Sequence, residues 1–279
     1  MINVYINSDC FEYFKNINNE SIDLIVTDPP YGIGFKGVTS DTSWDSMNDF
    51  QKFMTDFLNE VKRILKPNGI CWLFCARTKF LEISNMIEKV GLQNNLEYWL
   101  TYARNKGRGA TKRPKSVAEE ILCISKSDDF YFSNVDYLRE VVAPYVKDGK
   151  PRGWFVDQNT GQRVRWSGLG NVLYFSSPFH LNKFEKRIHS TQKPFLLMCE
   201  LILASSKEGD TILDPFMGSG VCGIACDVLN RNFIGIEKDL DMYNKACTWF
   251  KNYDKTMIID YVGQRLNFPS KQDLWGNKD

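Results

Sequence analysis

Short apolar runs alternate with helix-period segments along most of this chain, and that alternation confines it to a small set of folds. Ser21 to Thr27, Ile70 to Ala76, Thr211 to Leu213 and Asn232 to Ile236 are each too short and too apolar for amphipathic helices. Such runs read as strands buried on both faces, the pattern of a parallel sheet. Ile2 to Asn7 alternates weakly and adds a strand ending at Ser8-Asp9, and Leu96 to Tyr102 and Glu120 to Ser125 read as two more. Between the strands, Phe11, Phe14 and Ile17 recur at helical spacing, and Phe50, Phe53, Met54, Phe57, Leu58, Val61, Ile64 and Leu65 mark one face of a helix over 48–65. Lys66-Pro67-Asn68-Gly69 stops that helix. Further helices are predicted over 80–90, closed by Gly91, and over 195–205, 221–229 and 240–250. The result is an α/β chain with a mostly parallel, doubly wound sheet covered on both faces.

The length of 279 residues suits one such unit with an elaborated insertion, and 43% apolar residues supply a full core. No run approaches the roughly 20 apolar residues that cross a bilayer, and Met1-Ile2-Asn3-Val4 is not a charged start leading into an apolar stretch, so a cytoplasmic protein with no membrane partner is expected. The eight cysteines fall mostly within apolar periodic segments, as core residues do, and neither they nor the two histidines have zinc-finger spacing; no metal site is expected. Charge is segregated. Positions 104 to 193 hold 17 Lys and Arg against 9 Asp and Glu, while the remainder holds 18 against 25. A basic segment in a near-neutral chain is either a polyanion-binding face or a solvated, loop-rich surface. The tail from Lys251 has one apolar run, Met257-Ile258-Ile259, with no assigned role.

Two strand ends carry chemistry. Asp28-Pro29-Pro30-Tyr31 follows the first apolar run. Its prolines remove two backbone donors and fix φ, leaving carbonyl oxygens free, while Asp28 adds a charged acceptor and Tyr31 a flat apolar face. Two acceptors beside a ring suit a planar exocyclic amine; a strand-end turn with no ligand is the plain alternative. Asp214-Pro215-Phe216-Met217-Gly218-Ser219-Gly220 lies at a strand-to-helix turn whose glycines let a ligand approach the backbone. The acid there disfavours phosphate and suits a cationic or hydroxyl-bearing ligand. Glu237 ends the next strand, where a carboxylate can accept from both ribose hydroxyls.

With these motifs the chain resembles the S-adenosylmethionine-dependent amino-methyltransferases of DNA, in the β group whose catalytic motif precedes the cofactor motif. Asp28-Pro-Pro-Tyr31 resembles the catalytic motif, Asp214 to Gly220 the cofactor loop, and His189-Ser-Thr-Gln-Lys-Pro194 the segment placed just before it, with Ser190 where the family usually has proline. Ser8-Asp9-Cys10, Trp44-Asp45 and Leu65 to Gly69 match more weakly. The likeness spans roughly the first 103 residues and positions 189 to 250. It implies a circularly permuted Rossmann-like methyltransferase sheet, with the strand ending at Asp9 beside the strand ending at Glu237. It implies residues 1–103 and 189–279 as the catalytic and cofactor domain, and 104–188 as a basic target-recognition insertion that includes the strand near 120–125. Asp28, Pro29, Pro30 and Tyr31 would be catalytic. Asp9, Asp28, Lys193, Asp214, Pro215, Phe216, Gly218, Ser219, Gly220 and Glu237 would hold S-adenosylmethionine. A prokaryotic cell or its phage, a restriction-modification setting and a homodimer are compatible with the resemblance.

An aromatic amine delocalises its lone pair into the ring and is a poor nucleophile. Asp28 and the Pro29 carbonyl would each accept one N–H and localise the lone pair for in-line attack on the sulfonium methyl. A duplex base must be flipped out for this, or the DNA must be single-stranded. Arg104, Lys106, Arg108, Lys112, Arg113 and Lys115 form a basic, acid-free, glycine-containing stretch suited to phosphates. Arg152, Arg163 and Arg165 interleave with Trp154 and Trp166, which either stack on bases or anchor a thin subdomain. The expected activity is methylation of adenine N6 in DNA. Cytosine N4, where Ser more often replaces Asp28, is the alternative, followed by an RNA or protein amide substrate and a catalytically silent nucleic-acid-binding module.

Overall fold

The computed structural model describes residues 1–31, 47–108, 112, 114–133, 137–141, 145–158, 161–175, 188–189 and 191–265. Trp44-Asp45, Arg113 and Ser190 therefore lie outside the described residues, as do the side chains of Lys106 and Arg108. The chain divides into two compact units, Met1–Phe132 with Asn171–Tyr253, and Ser133–Gly170 with Asp254–Asp279.

In the first unit the elements run β1 (Asn3–Asn7), α1 (Cys10–Phe14), β2 (Ile22–Thr27), α2 (Met47–Ile64), β3 (Leu65–Cys75), α3 (Phe80–Lys89), β4 (Gln93–Asn94), β5 (Leu100–Arg108) and β6 (Ser116–Ser125). The second unit contains β7 (Tyr137–Glu140), β8 (Val146–Lys147), β9 (Lys150–Pro151), β10 (Phe155–Val156) and β11 (Arg163–Ser167). The first unit resumes with β12 (Val172–Phe175), α4 (Phe195–Ser205), β13 (Thr211–Asp214), α5 (Val221–Val228), β14 (Asn232–Glu237) and α6 (Leu240–Asn252). Helix α7 (Lys255–Arg265), begun by Asp254 accepting from the Met257 amide at 3.1 Å, belongs to the second unit.

One sheet organises the first unit, in the order β1-β14-β13-β2-β3-β6-β5-β12, with β4 also on β6. The ladders from β1 through β3 are parallel, as is β5 with β12, whereas β6 is antiparallel to its neighbours β3, β4 and β5. Strand β1 pairs with β14, Asn7 facing Glu237, although the two lie at opposite ends of the chain. Strand alternation sends Ile25, Cys71 and Leu73 into one core with Phe14 of α1, Phe57 of α2 and Ile83 of α3. Trp72 points the other way, its indole Nε1 donating to Ser205 Oγ of α4 at 2.8 Å. Helices thus cover both faces, as the continuous apolar strands require.

Three local readings change. The Leu96–Tyr98 segment is a 3-10 turn closed by Tyr98 N to Asn95 O (2.9 Å), so β5 begins at Leu100 and reaches Arg108. Lys66 to Gly69 falls within β3, which meets β2 first at Ile22–Leu65 and again from Leu24–Ile70, so these residues form an irregularity between two ladder segments. The tail after Lys251 carries α7, whose single apolar run is too short to announce a helix.

In the second unit, β7, β11 and β10 form an antiparallel sheet and β8 and β9 a hairpin. Trp154 Nε1 donates to the Tyr145 carbonyl at 2.8 Å, and the Arg163 guanidinium sits 5.7 Å from the Trp154 ring centre. Trp154 is half-buried, whereas Trp166 is 41% exposed.

The seat of α5 on the sheet depends on Gly223, where an added Cβ would lie 2.2 Å from the Tyr5 hydroxyl and 2.7 Å from the Phe233 ring. Gly223→Ala gains about 1 kcal/mol of helix propensity but incurs overpacking of about 1–3 kcal/mol. The expected outcome is net destabilisation, read as a lower Tm in thermal unfolding.

Candidate active site

Because β1, β14, β13 and β2 are adjacent and parallel, their carboxyl ends share one edge, and each is followed or closed by an acid: Asp9, Glu237, Asp214 and Asp28. Each acid is held differently. Asp9 Oδ1 accepts from the Phe11 amide at 3.0 Å, capping α1, and its Oδ2 meets Lys238 Nζ at 3.0 Å in an exposed pair. Glu237 ties the glycine loop to the start of α6, Oε2 accepting from Gly218 N at 3.0 Å and Oε1 from Asp239 N at 2.8 Å. Burial pushes its carboxyl up, and the backbone bonds oppose the shift.

Asp214 is buried, its Oδ1 accepting from Thr27 Oγ1 and from the Phe216 amide, both at 3.2 Å. Burial pushes its carboxyl up to about 7, against the pull of these two bonds. The loop after Asp214 turns through Gly218 (φ 47°) and Gly220 (φ 76°), with Gly220 N donating to Met217 O at 2.8 Å. A Cβ on Gly220 would stand 3.1 Å from Ala246 Cβ of α6, so both conformation and packing call for glycine there. A Cβ on Gly218 would find nothing nearer than Phe216 O at 4.0 Å.

Asp28 has both oxygens engaged. The Tyr31 hydroxyl donates to Oδ1 and the Lys193 ammonium to Oδ2. Burial pushes the Asp28 carboxyl up, Lys193 pulls it back, and Glu119 adds to the rise. Lys193 is itself buried, with Nζ 3.0 Å from Glu119 Oε2 and 5.0 Å from the Phe74 ring centre. Burial alone would lower its pKa, yet the two carboxylates outweigh burial and keep it charged. The preceding turn is closed by His189 Nδ1 at 3.0 Å from Thr191 Oγ1 and by Ile188 N donating to Gln192 Oε1 at 3.1 Å.

A cleft with about 460 Å³ of empty volume, counting its open mouth, is lined by Asp28, Lys193, Asp214, Phe216, Gly218 and Ser219, with Val26, Phe74 and Met198 among its apolar walls. Of the expected catalytic and cofactor residues, Asp28, Lys193, Asp214, Phe216, Gly218 and Ser219 line this cleft, whereas Asp9, Pro29, Pro30, Tyr31, Pro215, Gly220 and Glu237 stand outside its lining. The donor set fits S-adenosylmethionine: carboxylates suit its cationic centres and hydroxyls, apolar walls its rings and methylenes, and the open side of Gly218 admits close approach. Each Glu237 oxygen keeps a second lone pair for a hydroxyl donor.

Of the expected nucleic-acid residues, Lys112, Lys115, Arg152, Arg163 and Arg165 are exposed. Arg104 is half-buried, with Nη1 3.0 Å from Glu119 Oε1. Sequence reasoning missed Glu119. The available signal was the acid pair Glu119-Glu120 within the apolar strand β6; alternation sends the two acids to opposite faces, and Glu120 accepts from Thr101 Oγ1 at 2.7 Å.

The N6/N4 methyltransferase family model, described as DNA methylase, matches residues 22–247. Type II methyltransferase M.HpaI of Haemophilus parainfluenzae is 34% identical over 231 residues, covering 82% of this chain and 68% of that protein. Type II methyltransferase M.HinfI of Haemophilus influenzae is 31% identical over 261 residues, 85% of this chain but only 65% of that protein, so the chain spans about two thirds of these relatives. Among solved structures, the M1.HpyAVI–SAM complex superposes with a TM-score of 0.59 at 25% identity, covering 90% of this chain and 100% of that one.

Asp214 gives a stability test. Its carboxyl is raised in the folded state, so the native protein holds a proton that the unfolded chain releases between about pH 4 and 7. Stability contributed by this group is therefore present at low pH and lost as pH rises toward 7. Asp214→Asn, which cannot ionise, is expected to gain stability relative to wild type across that window, at up to roughly 1.4 kcal/mol per pH unit, in denaturant titrations at pH 5 and pH 8.

Proposed function

This chain belongs to the DNA methylase family of N6/N4 amino-methyltransferases, and we propose that it methylates N6 of adenine in DNA, on a base flipped from the duplex or held in a single strand. The observation that carries this reading is Asp28, a carboxylate in the cleft beside the glycine loop, followed by a proline carbonyl and a tyrosine. S-adenosylmethionine, on which the family depends, supplies an activated sulfonium methyl.

The chain's own residues bind and align. Asp214 and Glu237 are the acceptors for cofactor amine and ribose hydroxyls, with Asp9 at the adenine side and Pro215, Phe216, Gly218, Ser219 and Gly220 forming the loop that holds the cofactor close. Asp28 accepts one N–H of the target amine and the Pro29 carbonyl accepts the other, drawing the nitrogen toward tetrahedral geometry and localising its lone pair. Pro30 fixes the turn that aims them, and the Tyr31 ring stacks on the base. After transfer the nitrogen sheds a proton, which Asp28 accepts. Lys193 and Tyr31 each occupy one lone pair of Asp28, and the remaining lone pairs face the amine.

Adenine is favoured because an acid rather than Ser begins the tetrapeptide. Cytosine N4 presents the same kind of amine and is the second reading. M.HpaI and M.HinfI are named type II methyltransferases, which makes restriction-modification the setting to test first. The exposed Arg152, Arg163 and Arg165 of the second unit, within the 104–188 insertion, are assigned to the DNA backbone, together with Lys112 and Lys115.

Labelled methyl transfer to duplex and single-stranded DNA, followed by nucleoside analysis, tests the reading; 6-methyladenine is expected, and 4-methylcytosine would replace adenine with the second reading. Asp28→Ala is expected to lower turnover by about 10²–10⁴ while cofactor still binds by calorimetry; near-normal turnover would remove Asp28 from its role. Neutralising Arg152, Arg163 and Arg165 should flatten the slope of log Kobs against log salt by about 0.9 per lost phosphate contact, and an unchanged slope would free these residues from DNA.

A further inference from the structure

Lys193 lies between two carboxylates from different strands, Asp28 just beyond β2 and Glu119 on β6. Their side chains are 8%, 24% and 15% exposed respectively, so all three are largely withdrawn from solvent. Glu119 is fixed in turn, since its Oε1 pairs with Arg104 at 3.0 Å while its Oε2 takes Lys193 at 3.0 Å. Two acids and two cations make the cluster neutral.

The two Asp28 oxygens are both in use, one by Tyr31 and one by Lys193. Each oxygen keeps a second lone pair for a target amine, and an Asp28 carboxylate that turns toward the amine draws away from Lys193. An ammonium whose sole partner was Asp28 would become a buried, unpaired charge on yielding, which strongly opposes release. With Glu119 in place, Lys193 gives up one carboxylate and keeps another.

We infer that Glu119 is a positioning residue for methyl transfer, retaining Lys193 when Asp28 turns its oxygen to the target amine. The inference rests on the proposed role of Asp28. A second consequence is electrostatic: the Glu119 charge raises the proton affinity of Asp28, so removing that charge lowers it. Activity that requires ionised Asp28 then survives to lower pH.

The test is kcat against pH for wild type, Glu119→Gln and Glu119→Asp on substrate DNA, with S-adenosylmethionine affinity measured by calorimetry. Glu119→Gln is expected to lower kcat by about tenfold or more, to leave cofactor Kd within about twofold, and to move the acid limb of kcat to lower pH. Glu119→Asp keeps the charge one methylene farther back, so the limb stays and kcat recovers in part. A kcat for Glu119→Gln within about twofold of wild type, an unmoved limb, or a loss of cofactor affinity matching the loss of kcat overturns the inference. If Glu119→Gln does not fold, Glu119→Asp decides: reduced kcat at unchanged cofactor Kd supports the role, and wild-type kcat overturns it. Wild-type protein that transfers no methyl group to any DNA overturns the proposed function and this inference together, whereas active wild type with an indifferent Glu119→Gln overturns the inference alone.

Discussion

Everything at this site follows from the parallel ladder of β1, β14, β13 and β2, because parallel pairing in register brings four strand ends, and four carboxylates, to one edge. Burial raises the carboxyls of Asp28, Asp214 and Glu237, and every acid at this edge is met by donors. Asp9 finds them in the Phe11 amide and Lys238, Glu237 in two backbone amides, Asp214 in a hydroxyl and an amide, with a proton held up to about pH 7, and Asp28 in Lys193 and Tyr31. A cationic, hydroxyl-bearing ligand offers further donors. The same burial that disfavours the charged carboxylates in the free protein favours a ligand that brings donors and positive charge.

The glycine loop is tied into this edge rather than attached to it. Gly218 N donates to Glu237 at 3.0 Å and Met217 N to Ile236 O at 3.0 Å, so the loop after β13 is pinned to the neighbouring strand. Gly220 then starts α5 with positive φ against Ala246 of α6, and Gly223 lets the helix settle on Tyr5 and Phe233. Loop geometry and helix packing are therefore one constraint, and a substitution at either glycine is felt at the other end of it.

Much of this was legible in the sequence because it is local. Apolar runs gave the strands β2, β13 and β14 nearly to the residue, the face of α2 was written in its phenylalanines, and each acid followed a run that ended there. What escaped has a physical reason in each case. Leu96 to Tyr98 has the composition of a strand but is closed by a turn hydrogen bond, which composition does not encode. Helix α7 is capped by Asp254, while its short apolar run gave little period to read. Glu119 meets Lys193, 74 positions away in the chain, and through it Asp28; no spacing rule links three such segments. Even the pairing of β1 with β14 came from family resemblance, since periodicity says which residues form strands and not which strands are neighbours.

Arg104 and Lys193 sharpen the meaning of the basic segment. Both counted toward its excess of cations, yet both are spent inside the protein on Glu119 and Asp28. The exposed charge sits instead on side chains such as Lys112, Lys115, Lys147, Lys150, Arg152, Arg163 and Arg165. The two populations answer to different physics. Exposed cations act over a Debye length of about 8–10 Å and weaken as salt rises, whereas the cluster around Lys193 lies where salt penetrates little. Salt thus screens the exposed cations of each unit, while the surroundings of Asp28 are set by neighbours that salt leaves alone. Net charge over a segment does not separate these roles; burial and partners do.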